Sequence, residues 1–491
     1  MKRRKFLKAF AFALFFLFLF AILAPNFTFT EAHGRNFCFV PKSLLLSYPE
    51  KRGDFASCYT SPPQAVKDWL CNFDVVEIGG VGDIASQETL NYLKRRGVKK
   101  LFCYDWMPAV YYYISGENYD FTNWVYENRQ IAALNPNGPF PHTAEMGYDF
   151  AFAKDYYLDF GNKEVIKRRV SFITKIISEN SYSGVFWDWA PGVFINEPEF
   201  SVMKNNFAQR HPGEKYSDAV GEFYSVLRKK CDNIGIEIFT NQGYRNAKNV
   251  LPYVDYDMAE SYAVDYFYPG KKICVKGYGE IDMPQTLYFP VSPDGHPSFY
   301  DTLFYAGYVK NLVKKYGSGH FKKFVFMNYA APEFIYDKDS EEYLAHPPKD
   351  AIYLSFATAK LVDETAYLEV PFDKNLEKDR VYFVRLGKAF GENFAVNKKE
   401  GFAVRYFENG ISLVYFGDKT EKTITLESEF IPKSSYFFDV YSGKWEKFGG
   451  GKITLHIKTR KDPLTGKTIP AGRIIIYNKH FLKPLPVILP F

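Results

Sequence analysis

A rhythm constrains this chain more than any single residue does. Between about residues 73 and 370, short apolar runs alternate with longer stretches whose apolar positions recur at helical spacing. Runs of the first kind read as strands buried on both faces, and stretches of the second as amphipathic helices that cover them. "FDVVEIGG" (Phe73 to Gly80) leads through "SQETLNYLKRRG", closed by Gly97, to "KKLFCYDW" (Lys99 to Trp106). "DYYLDFGN", "SGVFWDWA", "IEIFTNQGY", "YDMAESYA", "KKFVFMNYA" and "TAYLEV" bring the strand candidates to eight. Strands alternating with helices imply a parallel sheet, and eight such units predict a (β/α)8 TIM barrel with insertions. The alternative, an open doubly wound sheet, wants a G-x-G-x-x-G loop after its first strand; "EIGGVGD" lacks that spacing.

Two aromatic-rich insertions interrupt the rhythm, Trp106 to Lys154 and Ser261 to Tyr300. Both follow the C-terminal end of a strand, the face on which barrel loops build their sites. Past "VPFDKN" (Val370 to Asn375) the alternation stops, and runs such as "GFAVRYFENGISLVYFG" and "GKITLHIKT" read as strands joined by turns, with Asn409-Gly410 as a hairpin signal. The expected division is therefore an N-terminal segment 1–32, a barrel over 33–371, and a small all-β sandwich over 372–491. The sandwich closes with the proline-broken tail "KPLPVILPF".

The N-terminal segment accounts for most of the charge imbalance. The formal net charge is +6, and Lys2, Arg3, Arg4, Lys5 and Lys8 precede an unbroken apolar run from Ala9 to Ala24. A basic start and an apolar run predict an export signal or an uncleaved anchor, so the chain is expected to be exported, with a membrane tether left open. "RRKFLK" fits the twin-arginine pattern, while the hydrophobicity of the run fits the general secretory route equally well. No Lys/Arg stripe suggests a nucleic-acid partner. Six scattered cysteines and the unpaired spacing of the histidines give no metal signature, and no metal or organic cofactor is expected. Cys103, inside an apolar run, reads as a small buried hydrophobe.

The chemistry gathers at the ends of the apolar runs. They finish in Asp105-Trp106, Asp188-Trp189, Asn241-Gln242, Glu260-Ser261-Tyr262 and Asn328-Tyr329, and Glu77 lies in the first run. In a closed barrel these tips converge on one cup, so Asp105, Asp188, Asn241, Glu260 and Asn328 are expected to face a single cavity. Such a set suits a sugar: carboxylates for proton transfer and the anomeric centre, amides for hydroxyls, aromatic faces for the ring. Asp188 and Glu260 are the candidate catalytic pair, because glycoside hydrolysis needs two carboxyl groups flanking the bond. Trp187 and Trp189 offer apolar surroundings that would separate the two pKa values. Asp105, Trp106, Trp189, Asn241, Gln242, Tyr262, Asn328 and Tyr329 are candidate substrate-binding residues, with Tyr104 a further stacking candidate.

"GVFWDW", "IEIFTNQGY", "YDMAESY" and "YYLDFGNKEVIKRR" resemble segments of glycoside hydrolase family 114, the endo-α-1,4-polygalactosaminidase family of (β/α)8 barrels. The resemblance covers roughly Phe73 to Tyr268 and implies that Asp188 and Glu260 are its catalytic carboxylates. It also implies an α-linked, amino-sugar polysaccharide as substrate. Trp187 stands where that family often has Leu, and the sandwich instead looks like the accessory domain of amylase-type barrels. Amylases carry Arg two residues before this Asp and α-galactosidase-type barrels carry Lys; here the residue is Phe186. The expected function is an exported glycoside hydrolase acting by paired carboxylates on a poly- or oligosaccharide. The alternative is a non-catalytic cell-surface carbohydrate-binding protein on the same scaffold, which needs the aromatics and amides but no acid pair.

Overall fold

The computed structural model describes the chain from Leu46 to Tyr477, apart from residues 48–52, 59–61, 63, 72, 83, 111–119, 138–155, 193–200, 268–271, 276–278, 283–284, 290–298, 332, 338–341, 347, 370–380, 382–383, 385, 392, 434–435 and 463–465. The N-terminal segment expected to direct export, the C-terminal tail and much of both insertions lie outside the described residues.

Eight parallel strands form the barrel sheet: β1 (Gly53–Cys58), β2 (Phe73–Gly80), β3 (Lys100–Trp106), β4 (Gly184–Asp188), β5 (Glu237–Asn241), β6 (Tyr256–Ala259), β7 (Lys323–Tyr329) and β8 (Thr365–Glu369). Each pairs with its neighbour in chain order. A two-residue strand, Leu46–Ser47, runs antiparallel to β1 and also lies beside β8, bringing the two edges of the sheet around to each other. Chain order and parallel pairing are what right-handed β–helix–β units produce.

One strand differs from the sequence reading. "DYYLDFGN" is not in the barrel: Tyr156–Tyr157 pairs antiparallel with Ala109–Val110, while β3 pairs directly with β4, Asp105 opposite Trp187. The eighth barrel strand is β1, "GDFASC". Its Gly, Asp and Ser break the apolar run by which the others were visible.

The helices follow local signals. The helix after β2, α1 (Gln87–Arg95), is capped by Ser86, whose side chain accepts from the Thr89 amide. Between β3 and β4, α2 (Lys163–Glu179) is capped by Asn162 through the Glu164 amide. α3 (Tyr216–Ile234) stops at Gly235, held at φ 71°, a left-handed position that glycine takes without a Cβ clash. α4 (Phe299–Tyr316) precedes β7. α5 (Lys349–Leu361) precedes β8 and is buried on every side from Ala351 to Leu361.

The reason for that burial is the second unit. Strands β9 (Ala395–Asn397), β10 (Phe402–Phe407), β11 (Gly410–Tyr415), β12 (Glu421–Glu427), β13 (Tyr436–Asp439), β14 (Lys444–Lys447), β15 (Lys452–Lys458) and β16 (Ala471–Ile476) form two sheets, β9-β10-β11-β16-β13-β14 and β12-β15. Leu413, Ile424, Phe437, Leu455 and Ile475 lie in the core between them. The outer face of the larger sheet, including Ala403, Val414 and Ile474, belongs instead to the barrel's core. Ser412 Oγ donates to the Ala357 carbonyl at 2.8 Å, and Tyr353 Oη to the Val440 carbonyl at 2.8 Å. The sandwich is thus the outer cover of α5.

Candidate active site

The barrel interior is filled from below by aromatic rings. Phe102, Phe186, Phe239 and Tyr256 stand on neighbouring strands and meet edge to face or tilted, with centroids 4.7–5.9 Å apart. Gly184 makes this plug fit: a Cβ there would lie 2.4 Å from the Phe102 ring and 2.3 Å from the Glu237 carbonyl. Strand alternation then fixes what points inward above the plug. Tyr104 stacks on Phe186, and Asp188, Asn241 and Glu260 each follow, two residues on, an inward-facing residue of the same strand line.

These side chains form one hydrogen-bonded set. The Asn241 amide nitrogen donates to Asp188 Oδ1 at 2.8 Å and to Glu260 Oε1 at 2.8 Å. Tyr104 Oη donates to Asp188 Oδ2 at 2.7 Å, and the Trp189 backbone amide to Oδ1 at 3.0 Å. Glu260 also accepts from Gln242 Nε2 at 3.3 Å and from Tyr329 Oη at 3.2 Å. Asp188 is buried, whereas Glu260 keeps contact with solvent. Both accepting oxygens lie 2.8 Å from the one nitrogen, so they are at most about 5.6 Å apart.

The backbone at these tips is unusual. Trp189, Gln242 and Ser261 have φ of 53°, 62° and 53°, and each directly follows Asp188, Asn241 or Glu260. A non-glycine residue in the left-handed region is uncommon, and three at adjacent strand ends mark where the surroundings impose an unfavourable conformation.

Electrostatics follow burial. Burial, then the Asp188 charge, pushes the Tyr104 hydroxyl well above its ordinary range, so it remains a donor to Asp188. Burial pushes Asp265 up to about 7, with the Glu260 charge adding to the shift and bonds from the Tyr266 amide and Ser261 opposing it. Neither Asp265 nor the hydrogen-bonding role of Tyr104 was legible in the sequence. Tyr104 counted only as an aromatic, and Asp265 stands past the strand tip in "AVDYF" with no motif around it.

No protein-family model matches the chain, and no curated protein matches it. Among solved structures it is similar to the glycoside hydrolase domain of PelA from Pseudomonas aeruginosa, at 15% identity and a TM-score of 0.38, covering 65% of this chain and 95% of that one. It is similar to Ega3 from Aspergillus fumigatus, solved with galactosamine, at 10% identity and a TM-score of 0.36, over 71% and 97%. It is also similar to a maltogenic α-amylase, AmyB, from Thermotoga neapolitana, at 8% identity and a TM-score of 0.46, over 86% and 98%. No residue role rests on these likenesses.

Four of the expected site residues face elsewhere. Asp105 falls on the outward parity of β3 and pairs with Arg169 of α2 at 2.9 Å, both side chains buried. Burial raises it to about 6 despite that cation, and it does not share the cavity of Asp188. Asn328 is outward on β7, where its Oδ1 accepts the Ala263 and Val264 amides at 2.6 and 3.0 Å. Tyr262 is fully buried and stacked on Phe326 at 3.9 Å, a core residue rather than a sugar platform. Trp106 shares Asp188's register but is buried against Tyr157, 5.6 Å away. Trp187 also points away from the site, onto Phe223 and under Arg169. By contrast Trp189, Asn241, Gln242 and Tyr329 lie with the two acids. Asn328 nevertheless matters to the site, because its carbonyl pins the turn that follows Glu260.

Proposed function

We propose that this protein is an exported, retaining glycoside hydrolase acting on an α-linked polysaccharide, with amino sugars the first substrates to test. The observation that carries the reading is the single Asn241 amide shared by Asp188 and Glu260. Facing oxygens at most about 5.6 Å apart fit the close spacing of retaining enzymes, about 5–5.5 Å; inverting ones leave roughly 6.5–9.5 Å for a water.

Asp188 is the nucleophile. It is buried and accepts from Tyr104, Asn241 and the Trp189 amide, three donors that favour the ionised form. Glu260, at the more open side, is the proton donor. It protonates the glycosidic oxygen as Asp188 attacks the anomeric carbon, so the C–O bond to the leaving sugar breaks while a bond to Asp188 forms. Glu260, now ionised, takes a proton from water, which displaces Asp188 and restores the original anomeric configuration. Trp189 and Tyr329 supply ring faces, and Gln242 an amide for a hydroxyl. The export segment 1–32 would deliver the enzyme to a polysaccharide outside the cell.

The test is release of reducing ends from a polysaccharide panel that includes partly deacetylated galactosamine polymers, with early product anomers followed by proton NMR. Retention is expected. Inversion would make Asp188 a base, and tight binding without product would favour the carbohydrate-binding alternative.

A further inference from the structure

We infer that Asp257 is a positioning residue: from the outer face of β6 it holds the turn after β5, so that Gln242 meets Glu260. The inference rests on the reading of Glu260 as proton donor given above.

Asp257 is a carboxyl group that the proposed chemistry leaves unused. It is fully buried, and it alternates along β6 with Tyr256, whose ring belongs to the plug, so it points outward. Burying a carboxyl is costly unless its oxygens are bonded. Thr240, opposite Asp257 on β5, donates through Oγ1 to Oδ1 at 2.8 Å. The Gly243 amide donates to Oδ1 at 2.8 Å, and the Tyr244 amide to Oδ2 at 2.8 Å. Each oxygen thus takes one of two successive amides at the start of the short helical turn Gly243–Asn246.

The chain is built for that approach. A Cβ on Gly243 would lie 2.8 Å from Thr240 Oγ1 and 2.9 Å from Asp257 Oδ1, so no side chain fits between turn and acid. Gln242, immediately before, is left-handed at φ 62°, and its Nε2 donates to Glu260. A residue stays in that region only where its surroundings over-determine it. The bond from the Gln242 amide to the Met258 carbonyl, 2.8 Å, fixes one side of the residue. Asp257 fixes the other. Asn328 does the same one strand over, where it accepts the Ala263 and Val264 amides behind Glu260.

The protonation of Asp257 does not decide this role. Burial pushes it up to about 7, against the bonds from Thr240, Gly243 and Tyr244. Ionised, it accepts all three donors. Protonated, its O–H turns to Thr240 Oγ1, whose own hydrogen goes to the Tyr256 carbonyl 3.2 Å away, and both amides keep an acceptor. Asparagine has only one oxygen. In Asp257→Asn either Gly243 or Tyr244 faces an NH₂, and the turn loses one of its two anchors.

The experiment is the pH profile of kcat/KM for the full chain, Asp257→Asn, Gln242→Ala and the double variant. Once Gln242 swings away, Glu260 keeps Asn241 and Tyr329 but has one donor fewer, which favours its protonated form. The basic limb should therefore move up by about one pH unit in each single variant, and no further in the double. The titratable groups around Glu260, namely Asp188, Tyr329 and Asp265, are untouched. Loss of the Asp257 charge alone would move the limb down, so the sign separates positioning from electrostatics. Thr240→Val removes a bond to Asp257 but leaves both amides, so it should lower the melting temperature and leave the limb in place. A folded Asp257→Asn enzyme with an unmoved limb would overturn the inference, as would a shift that adds to that of Gln242→Ala or one equalled by Thr240→Val. If Asp257→Asn does not fold, Gly243→Ala pushes the same turn off the acid with the charge kept; an unmoved limb there refutes the inference too. The carboxyl carbon resonance of Glu260, followed without substrate, should titrate higher in the same variants. An unmoved Glu260 titration refutes the positioning role, whereas absence of hydrolysis across the panel refutes the catalytic reading itself.

Discussion

Asn241→Ala is the sharpest test of how the two acids work together. The substitution removes the one nitrogen that bonds both carboxyl groups, each at 2.8 Å. Asp188 keeps the Tyr104 and Trp189 donors, and Glu260 keeps Gln242 and Tyr329, so neither acid is stranded. A hydrogen bond to a charged group is worth about 1.5–3 kcal/mol. In the proposed reaction, however, the two direct effects oppose each other. The bond to Asp188 weakens as its charge passes into the new covalent bond, and the bond to Glu260 strengthens as its proton leaves. What remains is positioning, and a misplacement of about 1 Å costs roughly a hundredfold. The expected result is a fall in kcat/KM of roughly a hundredfold, carried by kcat, with KM changed little and the melting temperature lowered by only a few degrees. Asn241→Asp should be worse than Ala near neutral pH. It is nearly isosteric, but it substitutes a third carboxylate for the donor and repels both acids. The assay is reducing-end release over a substrate series, with thermal melts as the folding control. A folded Asn241→Asp enzyme with unchanged kcat would show that the shared donor has no part in the chemistry.

Asp188→Asn and Glu260→Gln should each lower turnover by roughly a hundredfold to ten-thousandfold without loss of folding, and the double variant should be no worse than the poorer single one, as steady-state kinetics would show. Tyr104→Phe keeps the ring on Phe186 but deletes the 2.7 Å donor to Asp188, so turnover should fall about tenfold. With one donor fewer, Asp188 ionises less readily, and the acidic limb of the pH profile should move up; an unmoved limb would place the hydroxyl outside the chemistry. Cutting the chain after residue 370 strips the cover from α5, and the remaining barrel should aggregate or bind a hydrophobic dye, as light scattering and dye fluorescence would report.

The barrel was legible because strands buried on both faces read as continuous apolar runs. "GVFWD" and "KFVFMNY" have no other sensible reading. "GDFASC" does not announce itself, since its pairing with β2 comes from tertiary context rather than composition. The same limit governs the site. Strand ends could be read as a set of tips, but which tip faces inward depends on register, and a one-residue difference reverses the face. Asp105 and Asp188 both end apolar runs, yet β3 and β4 pair with Asp105 opposite Trp187, so Asp105 shares the outward parity that sends it to Arg169. Asn328 fails for the same reason, one residue out of phase with Tyr329.

The left-handed residues show what the fold does with these tips. A strand ending in a side chain of the site must turn at once, before the next side chain takes the same space. Glycine would turn more cheaply, but it has no side chain to offer. At one of the three turns the side chain of the strained residue works on the site: Gln242 bonds Glu260. At another, Trp189 gives its backbone amide to Asp188. The strain of these two turns is therefore the cost of placing a second functional group immediately behind the first. All three turns are held by backbone hydrogen bonds: the Ala190 amide donates to the Asn241 carbonyl, the Gln242 amide to the Met258 carbonyl, and the Tyr262 amide to the Met327 carbonyl. Each turn is thus pinned to the next strand over. The four tips of β4 to β7 accordingly behave as one connected rim, in which moving one acid means moving the turn that holds its neighbour.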